Sequence, residues 1–178
     1  MAVSRKSVAS VAAVWVCSTG LFGCRVTLPH QEIPGGTNAE LIEYIAEMPY
    51  VSADAAYRAL HILRTNEVFE GDFDSLKAAM SDQGGVVAGI QPNECPDRQE
   101  LCRAIVRACG ISPGLNYRLT GLGRYALRDL QYQRIVRTQN DYGPFSGGEF
   151  LGILARAEEY MREHADVAGV DLGSEPGR

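Results

Sequence analysis

The stretch PNECPDRQELCRAIVRACG, residues 92–110, contains the clearest helix signal in the chain. Its Asp97 and Glu100 have the spacing of a capping box, in which each side chain accepts a hydrogen bond from the other residue's backbone N–H. Apolar residues then recur every three or four positions along one helical face, and a glycine ends the pattern. The stretch therefore predicts a capped helix over 97–109 whose core positions include Leu101, Ile105 and Ala108.

A similar stretch, FSGGEFLGILARA, follows at 145–157. One constant offset aligns Ser146 and Glu149 with the first capping box and continues through the preceding loop, which is unusual for chance similarity. A shorter match at a second offset pairs residues 59–68 with 126–135. Chance likeness among amphipathic helices is the alternative. The repeat predicts that Phe150, Leu154 and Ala157 are equivalent to the core positions of the first copy.

The rest of the chain from residue 38 to 163 also has helical periodicity. Further helices are predicted over 38–48, 53–65, 72–82, 120–134 and 146–163, with Ser52 and Thr120 as N-caps. Residues 86–90 allow a short extended segment, but no stretch has the sustained alternation of a sheet strand. The predicted fold class is all-α, a bundle of helix-loop-helix repeats without a substantial sheet.

The N-terminal residues have the composition of an export signal. Arg5 and Lys6 precede an apolar run over 8–16, and the string LFGC ends at Cys24. This order resembles a bacterial lipoprotein signal with its lipobox, although Phe22 is bulkier than the usual residue. The resemblance implies cleavage after residue 23 and lipidation of Cys24, which would hold the protein to a membrane facing out of the cytoplasm. An ordinary cleaved secretion signal is the alternative.

The segments at the two ends of the helical domain have little apolar periodicity. Residues 24–37 contain two prolines and two adjacent glycines, so they are expected to form a flexible tether. Residues 164–178 have the composition of a disordered tail. The domain organisation is therefore a signal peptide over 1–23, a tether, one helical domain over 38–163 and a tail.

Charge argues against two classes of partner. Residues 1–23 contain two basic and no acidic residues, so the mature chain keeps 15 basic and 22 acidic residues, a formal charge of −7. Nucleic acid and anionic lipid attract basic surfaces, so neither is expected as a partner of a chain with this overall charge. The expected partners are the membrane, through the lipid on Cys24, and a component of the cell envelope.

Three cysteines follow Cys24, each seven residues from the next: Cys95, Cys102 and Cys109. This spacing does not match the CxxC-like pairs of zinc sites, and residues seven apart on a helix lie about 10 Å from each other. Buried free thiols are the preferred interpretation, because a free cysteine packs as a small apolar side chain. A disulfide between Cys95 and Cys102 is the alternative. No metal or other cofactor is expected.

The repeat resembles the surface-layer homology (SLH) repeat. Residues 92–110 are similar to its second half, residues 126–136 to its first half, and residues 145–157 to the second half of another copy. The resemblance implies helical units packed around a pseudo-threefold axis and attachment to a cell-wall polymer. It also implies that Arg98, at the position of the family's polymer-contacting arginine, binds that polymer, whereas Gly147 occupies this position in the second copy.

No catalytic motif accompanies these features. The chain lacks GxSxG, P-loop, HExxH and CxxCH patterns, and its three histidines have no suitably spaced partners. The expected function is therefore a non-enzymatic envelope module that binds a wall polymer or an envelope protein. The alternative is an envelope enzyme such as a wall hydrolase, with a carboxylate such as Glu149 as the acid.

Overall fold

The computed structural model describes residues 25–29, 32–34, 36–81, 85–138 and 140–168. Seven helices and no strand lie in this part of the chain, which confirms the predicted all-α class. The predicted signal peptide, Cys24 and residues 169–178 lie outside the described residues. The helices are α1 Asn38–Glu47, α2 Ala53–Thr65, α3 Phe73–Ser81, α4 Arg98–Ala108, α5 Leu115–Thr120, α6 Gly123–Tyr132 and α7 Gly147–Ala168.

Side-chain caps fix where several helices begin. The capping box predicted at Asp97 and Glu100 is present at the start of α4, and Ser52 accepts a hydrogen bond from the Ala55 N–H at the start of α2. Thr37 and Glu40 form a further capping box on α1. A cap of this kind contributes about 1 kcal/mol, so these residues define helix boundaries as well as stabilising them.

The prediction that Thr120 caps a helix over 120–134 is wrong. Thr120 is the last residue of α5, and its hydroxyl donates to the Asn116 carbonyl as it would inside a helix. Gly121 follows with a φ of 65°, a left-handed conformation that favours glycine and ends the helix. Helix α6 then begins at Gly123 without a side-chain cap.

One apolar core joins the helices. Helix α4 packs mainly against α6, α7 packs mainly against α1, and α2 contacts α1, α3, α4 and α7. The predicted core positions are buried except for Ala108, which is half-buried against the cluster. Both repeat copies thus supply the core as expected, namely through Leu101, Ile105, Phe150, Leu154 and Ala157.

The predicted repeat coincides with helix boundaries, but the packing of the helices does not repeat. The first offset aligns the first residues of α4 and α7, Arg98 and Gly147, and the second aligns the last residues of α2 and α6, Thr65 and Tyr132. Their main partners differ, however, because α4 lies on α6 and α7 lies on α1.

The short extended segment that the sequence allowed over residues 86–90 is not formed. These residues form turns around Gly89, which has a φ of 71°. A positive φ of this size is incompatible with an extended strand, and glycine adopts it readily.

The start of the expected tether is attached to the domain. Thr27 pairs with Glu94 in an isolated β-bridge, and the Cys95 N–H donates to the Val26 carbonyl at 2.8 Å. Arg25 forms an ion pair with Glu100 at 2.6 Å. The tether prediction is therefore wrong for residues 25–28, since the backbone of residues 26–28 is paired with the loop that precedes α4 and the Arg25 side chain is paired with α4 itself.

The C-terminal boundary also differs from the prediction. Helix α7 continues to Ala168, so the residues from His164 to that point are helical rather than part of a tail. None of the helices in the described ranges is long and apolar enough to cross a bilayer.

Candidate functional site

The predicted binding residue, Arg98, lies at the junction between α4 and α7. Its backbone N–H donates to the Gly143 carbonyl at 3.0 Å, and its Nε donates to the Tyr142 carbonyl at 3.2 Å. Its guanidinium lies over the Phe145 ring, with 4.4 Å between the guanidinium carbon and the ring centroid. Arg98 thus fixes the loop before α7 to the start of α4.

Glu149 completes this junction from the first turn of α7. Arg98 Nη2 donates to Glu149 Oε2 at 3.1 Å and to Oε1 at 3.3 Å. The same carboxylate accepts from the Ser146 backbone N–H, and the Ser146 hydroxyl accepts from the Glu149 N–H. The second predicted capping box is therefore formed, and Arg98 links it to the first one.

The burial of Arg98 argues against its predicted role as a polymer contact. The residue is only 6% exposed, and its remaining nitrogen, Nη1, is buried without a hydrogen-bond partner among the described residues. A wall polymer on the surface has no access to a guanidinium in this position. The arginine acts here as a structural link between two helix starts.

The structure also explains why glycine replaces arginine at the equivalent position 147. The end of α1 approaches this point so closely that a methyl group on Gly147 would overlap the Ile45 carbonyl oxygen. The Gly147 N–H donates to the Met48 carbonyl at 3.0 Å. The second copy therefore uses backbone contact with α1 where the first copy uses an arginine side chain.

The electrostatics of Glu149 are unsuited to the alternative role of a general acid. Although partial burial acts to raise its pKa, hydrogen bonds from Ser146 and the charge of Arg98 outweigh it and lower the pKa below the usual glutamate value. A general acid needs a raised pKa so that it holds a proton near neutral pH. Glu149 is instead an ionised carboxylate that serves as a helix cap and an ion-pair partner.

The three described cysteines are free and buried. Burial raises the pKa of Cys95 to about 11 and that of Cys109 to about 12, and it raises the pKa of Cys102 further. The nucleophile and metal ligand is the thiolate, so thiols in these surroundings are unreactive. The Cys95–Cys102 disulfide is absent from the structure. No cluster of three potential metal ligands occurs among the residues that the structure describes.

A groove on another face was not expected from the sequence. It lies between α1, α2 and α7, has a volume of about 400 Å³ and is lined mainly by aliphatic side chains. Glu158 is the one ionisable residue in its lining, where Asn38 and Asn66 supply amides. The apolar side chains that line it include Leu41, Ile42, Ile62, Leu63, Leu151 and Leu154.

One feature of the sequence, the apolar stripe of α1, is consistent with this groove. Leu41, Ile42 and Ile45 give α1 an apolar stripe, and within it Leu41 and Ile45 are buried while Ile42 is exposed. An exposed isoleucine is ordinary in isolation, and only the neighbouring residues of α2 and α7 make it part of a groove. That juxtaposition depends on tertiary packing.

Comparisons of the chain with models of known protein families, with curated proteins and with solved structures give no match. The functional argument therefore depends on the residues and surfaces described above.

Proposed function

We propose that this protein is a bacterial envelope lipoprotein, held to a membrane by lipid on Cys24, whose helical SLH-like domain acts by binding. The proposed ligand is an apolar segment of an envelope protein, bound in the groove between α1, α2 and α7. The observation that carries this proposal is the groove itself, whose lining is aliphatic and has a single ionisable side chain, Glu158.

The composition of the groove favours binding over chemistry. A catalytic cleft brings together several polar groups with shifted pKa values, whereas Glu158 has no second carboxylate, histidine or cysteine beside it in the lining. Its volume accommodates a few aliphatic or aromatic side chains of a partner. Recognition of this kind, with apolar side chains of a helix or strand laid into a groove, is common among peptide-binding proteins.

Charge distinguishes the two expected classes of ligand. Helix α1, which forms one wall, has three glutamates and no basic residue, and Glu158 lies on the opposite wall. An anionic wall polymer would be repelled by these carboxylates, while an apolar segment flanked by lysine or arginine would be attracted. The groove thus supports an envelope protein as partner in preference to the polymer.

The test of binding uses site-specific photo-crosslinking in intact cells. A photoreactive residue at position 42, where the side chain is exposed at the groove, should crosslink one defined envelope protein through an apolar segment with basic flanks. The same residue at position 132, exposed on α6, is the matched control and should not capture that protein.

The crosslinked partner should then depend on the groove. Ile42→Asp should abolish capture from a photoreactive residue at position 62 on the facing wall, whereas Tyr132→Asp should leave that capture unchanged. Retention of the protein on purified cell wall that survives Ile42→Asp, with no protein captured at position 42, would refute the groove proposal and favour polymer binding elsewhere.

The lipid anchor has an independent test. Replacement of Cys24 by serine should release the protein from membranes and eliminate the acylated N-terminal peptide in mass spectrometry. Tight membrane association of Cys24→Ser would refute anchoring through this residue.

A further inference from the structure

The described leucines with large exposed side chains are concentrated in one short stretch of the chain. Leu115 is 70% exposed, Leu119 is 74% exposed and Leu122 is 46% exposed. In α5 the buried residue is Tyr117, so Leu115 and Leu119 lie on the face of the helix that points away from the core. Leu122 follows directly after the turn at Gly121. These three side chains are called the leucine face below.

The leucine face lies in the most basic segment of the chain. Residues 115–137 contain five arginines and one acidic residue, Asp129, although the whole chain has a net charge of −5. Asp129 accepts a hydrogen bond from the Gly114 N–H at 2.8 Å, whereas all five arginines are exposed. The basic residues are Arg118, Arg124, Arg128, Arg134 and Arg137.

The first described residues of the mature chain are linked to the start of α6 through the start of α4. Arg25 is paired with Glu100 in the first turn of α4. The neighbouring residue Gln99 contacts the start of α6, since a methyl group on Gly123 would lie 2.5 Å from the Gln99 carbonyl oxygen. Gly123 follows Leu122, so the start of α4 connects the residue after Cys24 with the leucine face.

We infer that the leucine face and its arginines dock on the headgroups of an anionic lipid bilayer, beside the lipid on Cys24. This inference rests on the proposed anchoring of the protein through Cys24. Exposed leucines bury their side chains at the boundary of headgroups and acyl chains, and surrounding arginines attract anionic headgroups. The negative net charge was the reason not to expect anionic lipid as a partner. It is a sum over the whole chain, however, and does not reflect this local basic segment.

The attachment of residues 25–28 to the domain also favours docking. Because residues 25–28 are paired with α4 and the loop before it, lipid on Cys24 would leave the domain close to the bilayer rather than at the end of a flexible segment. Several acyl chains on Cys24 would hold the protein on the membrane but would not fix its orientation, and a basic surface with exposed apolar side chains orients a protein on an anionic bilayer. The leucine face provides such a surface.

The experiment places a fluorophore on the acylated full-length mature protein in vesicles of phosphatidylglycerol and phosphatidylethanolamine. Leu119→Cys reports on the leucine face, and Ile42→Cys, exposed on α1, is the matched control. Both labelling sites are exposed, whereas Cys95, Cys102 and Cys109 are buried and the acylated Cys24 has no free thiol. Spin-labelled lipid should quench the fluorophore at position 119 several-fold more strongly than the one at position 42.

The basic residues are tested in the same protein. Arg118→Glu with Arg124→Glu should reduce quenching at position 119 while the lipid still holds the protein on the vesicles. Vesicles of phosphatidylcholine alone should have the same effect. Equal quenching at positions 119 and 42, or a protected but unquenched fluorophore at 119 as expected for a protein partner, would overturn docking on lipid.

Failure of anchoring gives a different result from failure of docking. Mass spectrometry of the N-terminal peptide reports acylation before any fluorescence is measured. If Cys24 is not acylated, flotation of the unmodified chain with phosphatidylglycerol vesicles tests docking directly. Leu119→Glu should then lower the bound fraction about tenfold, and an unchanged fraction would overturn the inference.

Discussion

Replacement of Arg98 by alanine should destabilise the fold strongly, in contrast to the small effect expected of a surface contact. The substitution removes the hydrogen bond to the Tyr142 carbonyl, the bonds to Glu149 and the contact with the Phe145 ring. All three depend on a guanidinium that the fold almost completely buries. The variant therefore separates the loop before α7 from the start of α4.

The magnitude follows from these contacts. A hydrogen bond that involves a charged group contributes about 1.5–3 kcal/mol. A desolvated cation–π contact contributes up to about 2 kcal/mol. The Glu149 side chain is 40% exposed, so its ion pair contributes less than about 1 kcal/mol. Because such terms are not additive, we expect a total loss of about 3 kcal/mol, or roughly 6–12 °C in Tm for a chain of this size.

Urea unfolding followed by circular dichroism at 222 nm measures this loss. Arg124→Ala is the matched control, because Arg124 also lies over an aromatic ring, that of Tyr125 at 4.7 Å, but on the surface. The control should change the free energy of unfolding by less than about 0.5 kcal/mol. A result for Arg98→Ala within the same range would refute the structural role and restore Arg98 as a candidate surface contact.

Three further predictions concern Gly147, Glu149 and the buried cysteines. Gly147→Ala should cost about 1–3 kcal/mol, because its methyl group would overlap the Ile45 carbonyl, whereas Gly148→Ala, with open space around it, should be neutral or slightly stabilising in the same urea assay. Glu149→Gln should be less stable than the wild type at pH 7, and this difference in free energy of unfolding should disappear as the pH falls below about 4. The reason is that a carboxylate with a lowered pKa stabilises the fold only while it is ionised. A difference that does not depend on pH would contradict the charge argument. The thiols of Cys95, Cys102 and Cys109 should react with a thiol reagent at pH 8 only after denaturation, and recovery of fewer than three thiols after denaturation without reductant would indicate a disulfide.

Local signals explain what the sequence could predict. Apolar periodicity and capping boxes depend on residues three or four apart, so the predicted helices at α1, α2, α3, α4 and α7 lie close to the observed ones. The region of α5 and α6 was predicted poorly because Thr120 is an equally good residue inside the last turn of one helix or before the first turn of the next. Gly121 decides between them through its positive φ.

The functional residues were harder to predict, because exposure depends on long-range packing. Arg98 is in the first turn of a helix, where an arginine is normally solvated. It becomes buried because a loop far along the chain places the Tyr142 carbonyl and the Phe145 ring around it. The attachment of Arg25 to Glu100, which are also distant in sequence, is of the same kind. Neither contact leaves a local pattern in the sequence.

The groove beside α1 and the leucine face belong to segments of opposite charge. This difference would affect the orientation of the protein at the membrane. Residues 38–81, which form α1 to α3, contain eight acidic and three basic residues, whereas residues 98–137 contain two acidic and eight basic residues. An anionic bilayer attracts the second segment and repels the first, so the same field that favours docking of the leucine face turns α1 away from the membrane. The groove beside α1 would then face the compartment in which an envelope partner approaches. Orientation by charge thus makes both proposals compatible in one anchored molecule, and reversal of the arginines at 118 and 124 should weaken partner capture at position 42 as well as lipid contact at position 119.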